Sequence, residues 1–175
     1  KTIPIGKSLS LITGENECGK STVLDAIKYA FTGDTDFNKA SSATRIGSGR
    51  RTLASYTRCL LNTDTGKYAR PSGSYPNVYT HIALEYHNEL YDTDFVLGVI
   101  LETNSSDNVD NYWYSLENKK LKDIFFFKEF EGKKYVLSSK QFRDKNKTEI
   151  LNKNNGVVKF MTMTGLKLQN EGITK

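Results

Sequence analysis

The stretch Gly14-Glu15-Asn16-Glu17-Cys18-Gly19-Lys20-Ser21-Thr22 decides the fold of this chain. Residues 9–13 before it are short, apolar and partly β-branched, a pattern that predicts a buried strand. Residues 20–31 carry apolar side chains at positions 23, 24, 27, 30 and 31, which is helical spacing. The sequence therefore predicts a strand, a tight loop and a helix that ends at Gly33, a favourable C-terminal cap.

The loop has the pattern G-x-x-x-x-G-K-[ST], which is typical of phosphate-binding loops. Gly14 and Gly19 let the backbone bend so that successive N–H groups point into one concavity, and the helix directs its positive end there. We expect Lys20 to contact the β- and γ-phosphates of a nucleotide as the catalytic lysine, and the Ser21 hydroxyl to bind Mg²⁺. The predicted nucleotide-binding residues are Gly14, Glu15, Asn16, Glu17, Cys18, Gly19, Lys20, Ser21 and Thr22. The alternative is a glycine turn that only joins a strand to a helix.

Composition limits the class of protein. The 175 residues carry 25 Lys and Arg against 20 Asp and Glu, a net charge of +5 that is compatible with a nucleic-acid partner. This length is sufficient for one domain with its own core, and no apolar stretch approaches the length of a membrane helix. We expect no membrane partner. Cys18 and Cys59 are predicted to be reduced, because a disulfide at Cys18 would obstruct the loop, and a cytoplasmic location is expected.

The rest of the chain divides into a basic loop region and a strand-rich region. Residues 33–58 are expected to be mostly loop, with a strand or short helix from 53 onward. Five runs rich in aromatic and β-branched residues predict an antiparallel β-meander over 78–137: 78–86, 94–102, 111–117, 124–130 and 134–137. Ser138 and Ser139 predict a cap for a polar helix over 140–153, and residues 157–161 predict a final strand.

Residues 11–27 resemble the N-terminal half of the ATPase head in the SMC and ABC-type family. The usual run there is an apolar strand, G-x-N-G-[SA]-G-K-S-T, and a helix with L-D-A-I; Asn16 and Leu24-Asp25-Ala26-Ile27 carry the resemblance. It implies an α/β fold with α+β character, a P-loop NTPase of the ABC/SMC-head type whose P-loop helix packs on a mixed sheet with an antiparallel β-meander. Later stretches resemble the MukB/MksB-like SMC proteins, and within them the JetC family of Wadjet plasmid-defence systems: 37–40, 50–58, 82–86 and 95–99.

Two departures from this family pattern bear on function. Glu17 stands where the family has glycine, and its charge is expected to weaken nucleotide binding slightly unless the side chain points outward. The sequence shows no serine-glycine-glycine signature and no Asp-Glu pair after an apolar run; residues 95–102 end in one acid and are predicted to be a core strand. We therefore expect residues 1–175 to be one partial domain, an incomplete half-head that hydrolyses almost no ATP alone.

The resemblance implies an ATPase that uses ATP and Mg²⁺ to move or condense DNA, in plasmid defence or chromosome organisation. The implied partners are the C-terminal half of its own head beyond a coiled coil, a second identical head, kleisin-like and winged-helix subunits, and DNA without sequence preference. A glutamine after the meander would contact Mg²⁺ and the attacking water; Gln141 is the first candidate and Gln169 the second. The candidates for contact with DNA phosphates are Arg45, Arg50, Arg51 and Arg58.

Alternative functions stay open at this point. The chain could be a non-catalytic module in which nucleotide orders the basic loop for DNA or a partner protein, or part of another ABC-type DNA-repair ATPase. A nucleoside or small-molecule kinase would need alternating strands and helices around a parallel sheet, which the hairpin-like runs disfavour. The aromatic residues of these runs are predicted to be core rather than base-stacking: Tyr79, Tyr86, Tyr112, Trp113, Phe125, Phe126 and Phe127.

Overall fold

The computed structural model describes residues 3–5, 13, 19–37, 52–62, 65–154 and 158–161. Its helices are α1 (Lys20–Thr32), α2 (Leu53–Thr57) and α3 (Ser139–Asn154), with a 3-10 turn at Leu121–Asp123. Its strands are β1 (Leu60–Asn62), β2 (Lys67–Tyr68), β3 (Val78–Asn88), β4 (Thr93–Thr103), β5 (Val109–Glu117), β6 (Phe127–Phe130), β7 (Lys133–Val136) and β8 (Val158–Met161). The strand predicted over 9–13 and the loop over 14–18 lie outside the described residues, apart from Thr13.

The main sheet has four antiparallel strands in the order β3-β4-β5-β8. β3 and β4 form a hairpin that is paired along its whole length, from Val78 opposite Thr103 to Asn88 opposite Thr93. The first three predicted strands and the final strand are therefore confirmed. All strand pairs within the described residues are antiparallel, so a parallel pair, which the expected mixed sheet would need, stays a prediction.

The continuous meander predicted over 78–137 is wrong beyond β5. β6 and β7 pair with each other as a separate two-stranded sheet, and β8 occupies the place next to β5. Asn118, with φ 57°, turns the chain away from the sheet. The 3-10 turn then begins where the backbone N–H of Leu121 donates to the carboxylate of Glu85, 2.6 Å away. Side-chain alternation alone predicts strands, but it does not predict which strands pair.

The sheet is buried on both faces, with α1 on one face and α3 on the other. Alternate residues of β4 divide between two apolar clusters, because successive side chains of a strand point to opposite faces. The α1 face consists of Tyr29, Ala30, Phe37, Leu97, Val99, Leu101 and Trp113. The α3 face consists of Val96, Ile100, Tyr114, Leu116, Ile124, Leu137 and Phe142. Residues 95–102 are therefore a core strand, as predicted.

The ends of the two long helices follow their capping residues. Gly33, with φ 63°, ends α1, and its N–H donates to the carbonyl of Tyr29 over 2.8 Å. Ser138 caps α3, as predicted: its hydroxyl accepts from the N–H of Gln141, and the Gln141 side chain accepts from the N–H of Ser138, each over 3.3 Å. Of the helices that the structure describes, none is both long enough and apolar enough to cross a membrane. Cys59 is a free cysteine, as expected.

Candidate nucleotide-binding site

The predicted nucleotide site lies at the N-terminus of α1. Gly19 has φ 90° and ψ 13°, a left-handed conformation, and α1 begins at the next residue, Lys20. The N–H of Val23 donates to the carbonyl of Gly19 over 3.1 Å, which closes the first turn. Because residues with a Cβ rarely adopt this conformation, a glycine is required at the point where the loop enters the helix. Residues 14–18 of the loop lie outside the described part of the chain.

The first turn of α1 has the chemistry of an anion site. It contains Lys20, Ser21 and Thr22 and no acidic residue, and Gly19 has no side chain with which to cap the helix. Lys20 and Ser21 are half-buried, and Thr22 is exposed. An ammonium, two hydroxyls and the positive end of a helix dipole fit a phosphate group and its Mg²⁺. The residues present therefore fit both predicted ligands.

The other end of α1 is fixed to the sheet by Tyr29. This residue is 1% exposed, and its ring centroid lies 5.7 Å from that of Trp113. The side-chain amide of Asn111 donates to the Tyr29 hydroxyl over 3.1 Å. Burial raises the pKa of Tyr29 to about 12, so the hydroxyl stays protonated near neutral pH. These contacts attach the C-terminal half of α1 to β5 of the main sheet.

A family model described as an AAA domain matches residues 1–171. The chain belongs to this AAA domain family, a family of SMC-like and ABC-type ATPases. No curated protein matches the chain. Membership indicates nucleotide binding and ATPase activity, and it agrees with the coarse part of the sequence resemblance.

The AAA domain also contains a buried carboxylate on α1 that the sequence reasoning missed. Asp25 is 6% exposed, and it accepts a hydrogen bond from the hydroxyl of Tyr56 on α2. The ring of Tyr56 lies 4.5 Å from that of Phe37, centroid to centroid, and Phe37 packs on Tyr29. Phe37 comes directly before the basic segment 38–51, which lies outside the described residues, and α2 comes soon after it, so both flanks of that segment contact α1. The sequence signal that could have identified Asp25 is an acidic residue at a position of α1 that faces the core.

Arg58 has a different role from the one expected. The side chain is 1% exposed, and its guanidinium donates to three backbone carbonyls: those of Arg70 (3.0 Å), Tyr75 (2.9 Å) and Asn104 (2.6 Å). It also forms an ion pair with Asp107. A guanidinium that is buried and bonded on all sides offers no surface to a DNA phosphate, so the expected DNA contact is corrected to a structural role. Arg45, Arg50 and Arg51 lie outside the described residues.

Gln141 is placed as a helix cap of the AAA domain. Its side chain bonds the backbone of Ser138 at the start of α3, and α3 packs on the face of the sheet opposite α1. None of its described contacts reaches α1. A role beside Mg²⁺ therefore stays a prediction that this geometry does not support, and Gln169 lies outside the described residues.

Proposed function

We propose that this chain is the ATP-binding N-terminal part of the ATPase head of an SMC-like protein that moves or condenses DNA. One observation carries the proposal: in a member of the AAA domain family, a left-handed Gly19 leads directly into a helix whose first turn holds Lys20 and Ser21 and no acid. A left-handed glycine at the entry to such a helix supports the interpretation of residues 14–22 as a phosphate-binding loop.

In the proposed site, each group of α1 has a separate task. The Lys20 ammonium neutralises charge on the β- and γ-phosphates, and the Ser21 hydroxyl is a ligand for Mg²⁺. The N–H groups at the start of α1, together with residues 14–18, bind phosphate oxygens. Mg²⁺, when bound, supplies charge neutralisation between the phosphates. This chain would thus bind and orient ATP, while hydrolysis needs an Asp-Glu pair and a signature segment from other parts of the head.

At a finer level, we propose membership of the MukB/MksB-like SMC proteins, closest to the JetC family, with a role in plasmid defence or chromosome organisation. The residue stretches 37–40, 50–58, 82–86 and 95–99 support this assignment. A second identical head, kleisin-like and winged-helix subunits and DNA would be the partners. Arg45, Arg50 and Arg51 remain the proposed contacts with DNA phosphates.

A second candidate is a nucleotide-dependent binding module that does not hydrolyse ATP. The observation in its favour is that the flanks of the basic segment 38–51 both contact α1, through Phe37 on Tyr29 and through Tyr56 on Asp25. The helix that starts at the proposed nucleotide site is therefore the element that contacts both flanks of the basic segment. The motor and the module share this connection, and they differ in whether an assembled head turns over ATP.

Binding of a fluorescent ATP analogue to the purified protein, with and without Mg²⁺, tests the nucleotide site. Lys20→Ala should weaken binding at least about tenfold, because it removes a charge-assisted contact to phosphate. Lys28→Ala is the matched control: Lys28 lies on the same helix, but its ammonium bonds Asp34 (2.7 Å) and the carbonyl of Asp36 (2.9 Å). Equal binding by the wild-type protein and the Lys20 variant would contradict the proposal.

A further inference from the structure

The hairpin of β6 and β7 projects as a two-stranded ribbon. A turn at Glu131 and Gly132, with φ 49° and 71°, joins the strands, and positive φ at both positions is typical of the tightest hairpin turns. Lys128 is opposite Tyr135, and Phe130 is opposite Lys133. Because opposite residues share a face, these four side chains form one surface, which we call the ribbon face.

The ribbon face combines exposed positive charge with exposed aromatic rings. Phe130 is 62% exposed and Tyr135 is 43% exposed, and both lysines are exposed. The face contains no acidic residue. On the opposite face of the same hairpin, Lys134 forms an ion pair with Glu129 over 3.6 Å. Positive charge is therefore paired on one side of the ribbon, whereas on the ribbon face two lysines stand without an acid on the strands, and the turn at its end carries Glu131.

Packing does not account for the two rings. Neither Phe130 nor Tyr135 belongs to the core on either side of the main sheet, as far as the structure describes it. The hairpin is attached by other residues: Phe126 packs against the α3-face cluster, and its carbonyl accepts from the N–H of Leu137 over 3.0 Å. Solvated lysines are ordinary on a surface, but two exposed rings that alternate with them are not explained by solubility.

We propose that the ribbon face binds single-stranded nucleic acid, with Lys128 and Lys133 on backbone phosphates and Phe130 and Tyr135 against bases. Each nucleotide of such a strand offers one negative charge and one flat base, and the ribbon face offers cations and rings in alternation. Lysines neutralise phosphates without regard to sequence, and exposed aromatic rings stack on unpaired bases. An acidic peptide would match the lysines but would not offer a planar group at each repeat.

This surface is separate from the nucleotide site. The hairpin is attached on the α3 side of the main sheet, whereas the nucleotide site lies at the start of α1, which packs on the opposite face. Binding to the ribbon face should therefore occur without ATP and should survive Lys20→Ala. A failure of this inference can thus be distinguished from a failure of the proposed ATPase function.

Fluorescence anisotropy of a labelled oligothymidylate, measured on the purified protein without nucleotide, tests the ribbon face. The double variant Phe130→Ala/Tyr135→Ala should bind about tenfold or more weakly, since stacking contributes substantially for each base. The double variant Lys128→Ala/Lys133→Ala should reduce the slope of log affinity against log salt by about 1.4, which is two phosphate contacts on a single strand. Lys134→Ala, on the same hairpin but ion-paired on the other face, is the control and should leave the slope nearly unchanged.

Two further measurements make the result decisive. Circular dichroism and thermal unfolding establish that the variants fold as the wild type does. Photo-crosslinking to bromodeoxyuridine, followed by mass spectrometry, should place the crosslink on Phe130 or Tyr135. The inference is overturned if the aromatic variant binds the oligothymidylate as the wild type does, or if crosslinks lie only elsewhere in the chain. It is also overturned if duplex DNA binds more tightly than the single strand and its affinity does not depend on the two rings. Competition by poly-glutamate that equals competition by unlabelled oligothymidylate would overturn it as well.

Discussion

The hydroxyl of Tyr56 donates a hydrogen bond to the buried carboxylate of Asp25, which joins α2 to the helix of the nucleotide site. The two residues are far apart in sequence, and the basic segment 38–51 lies between them. The contact therefore links the two ends of a stretch of sequence that carries the proposed DNA-binding arginines. It gives the Asp of the Leu24-Asp25-Ala26-Ile27 motif a structural task in this chain.

Tyr56→Phe removes this hydrogen bond and retains the ring that packs on Phe37. We expect a loss of about 1–3 kcal/mol in the free energy of unfolding, because a buried carboxylate loses a donor. Urea denaturation followed by circular dichroism measures the change. Tyr75→Phe is the control, since the Tyr75 side chain is 49% exposed. Equal stability of the two variants would mean that the bond between α1 and α2 contributes nothing.

Gly19→Ala tests whether the left-handed residue before α1 is needed. A Cβ at Gly19 would meet no atom of the described residues within 4 Å, so the cost expected from them is conformational rather than steric. With φ 90°, we expect a loss of roughly 1–3 kcal/mol in stability and weaker ATP binding, as the loop relaxes toward another conformation. Gly73→Ala is the matched control, because a Cβ at Gly73 also meets no described atom within 4 Å and the φ of Gly73 is not left-handed. The prediction fails if both alanines have the same effect on ATP affinity.

Helical and strand periodicity predicted most of the elements, because α1, α3 and the strands β3 to β5 each bury one or two faces in the apolar clusters on the two sides of the main sheet. The place of β6 and β7 was not predictable, since it depends on the turn at Asn118 rather than on the strands themselves. The aromatic residues of the strand-like runs were all predicted to be core residues. Trp113 is core, but Phe125 and Phe127 are 37% and 49% exposed, because the hairpin that follows Phe126 leaves the sheet.

The burial of Arg58 shows a second limit. Its partners include the backbone carbonyls of residues 70, 75 and 104. Because every residue has a backbone carbonyl, the identity of these residues does not indicate that they bind Arg58. Three nearby arginines made a basic loop the natural interpretation. By contrast, Lys20 and Ser21 were placed correctly at the start of a helix, because the phosphate-loop pattern encodes its backbone through glycine positions.

Arg58→Ala should destabilise the fold rather than weaken DNA binding specifically. Deleting the guanidinium leaves three backbone carbonyls and the half-exposed Asp107 without their shared donor, and we expect a loss of about 1–3 kcal/mol in the free energy of unfolding. Thermal unfolding measures this loss. Arg70→Ala is the control, since Arg70 is exposed and contributes only its backbone carbonyl to the network. A stable Arg58 variant that lost DNA affinity alone would restore the DNA-contact interpretation.

His81 should make stability depend on pH in the mildly acidic range. Its Nε2 lies 2.8 Å from the carbonyl of Leu137, and its ring packs against Phe126 and Phe142. Burial lowers the pKa of His81 below its ordinary value of 6.5, and this outweighs the opposing effects of the Leu137 carbonyl and of Glu102. The unfolded chain therefore binds a proton at a pH where the folded protein does not.

The contribution of His81 to stability is accordingly complete above pH 6.5 and is lost as the pH falls from there through the lowered pKa of the folded state. Urea unfolding of the wild type between neutral pH and about pH 5 should show stability falling with pH, and His81→Phe should remove that part of the slope while keeping an aromatic ring in the cluster. His87→Gln, at the other histidine of the chain, which is exposed, should retain it. A slope that survives in the His81 variant and disappears in the His87 variant would assign the titration to the surface instead.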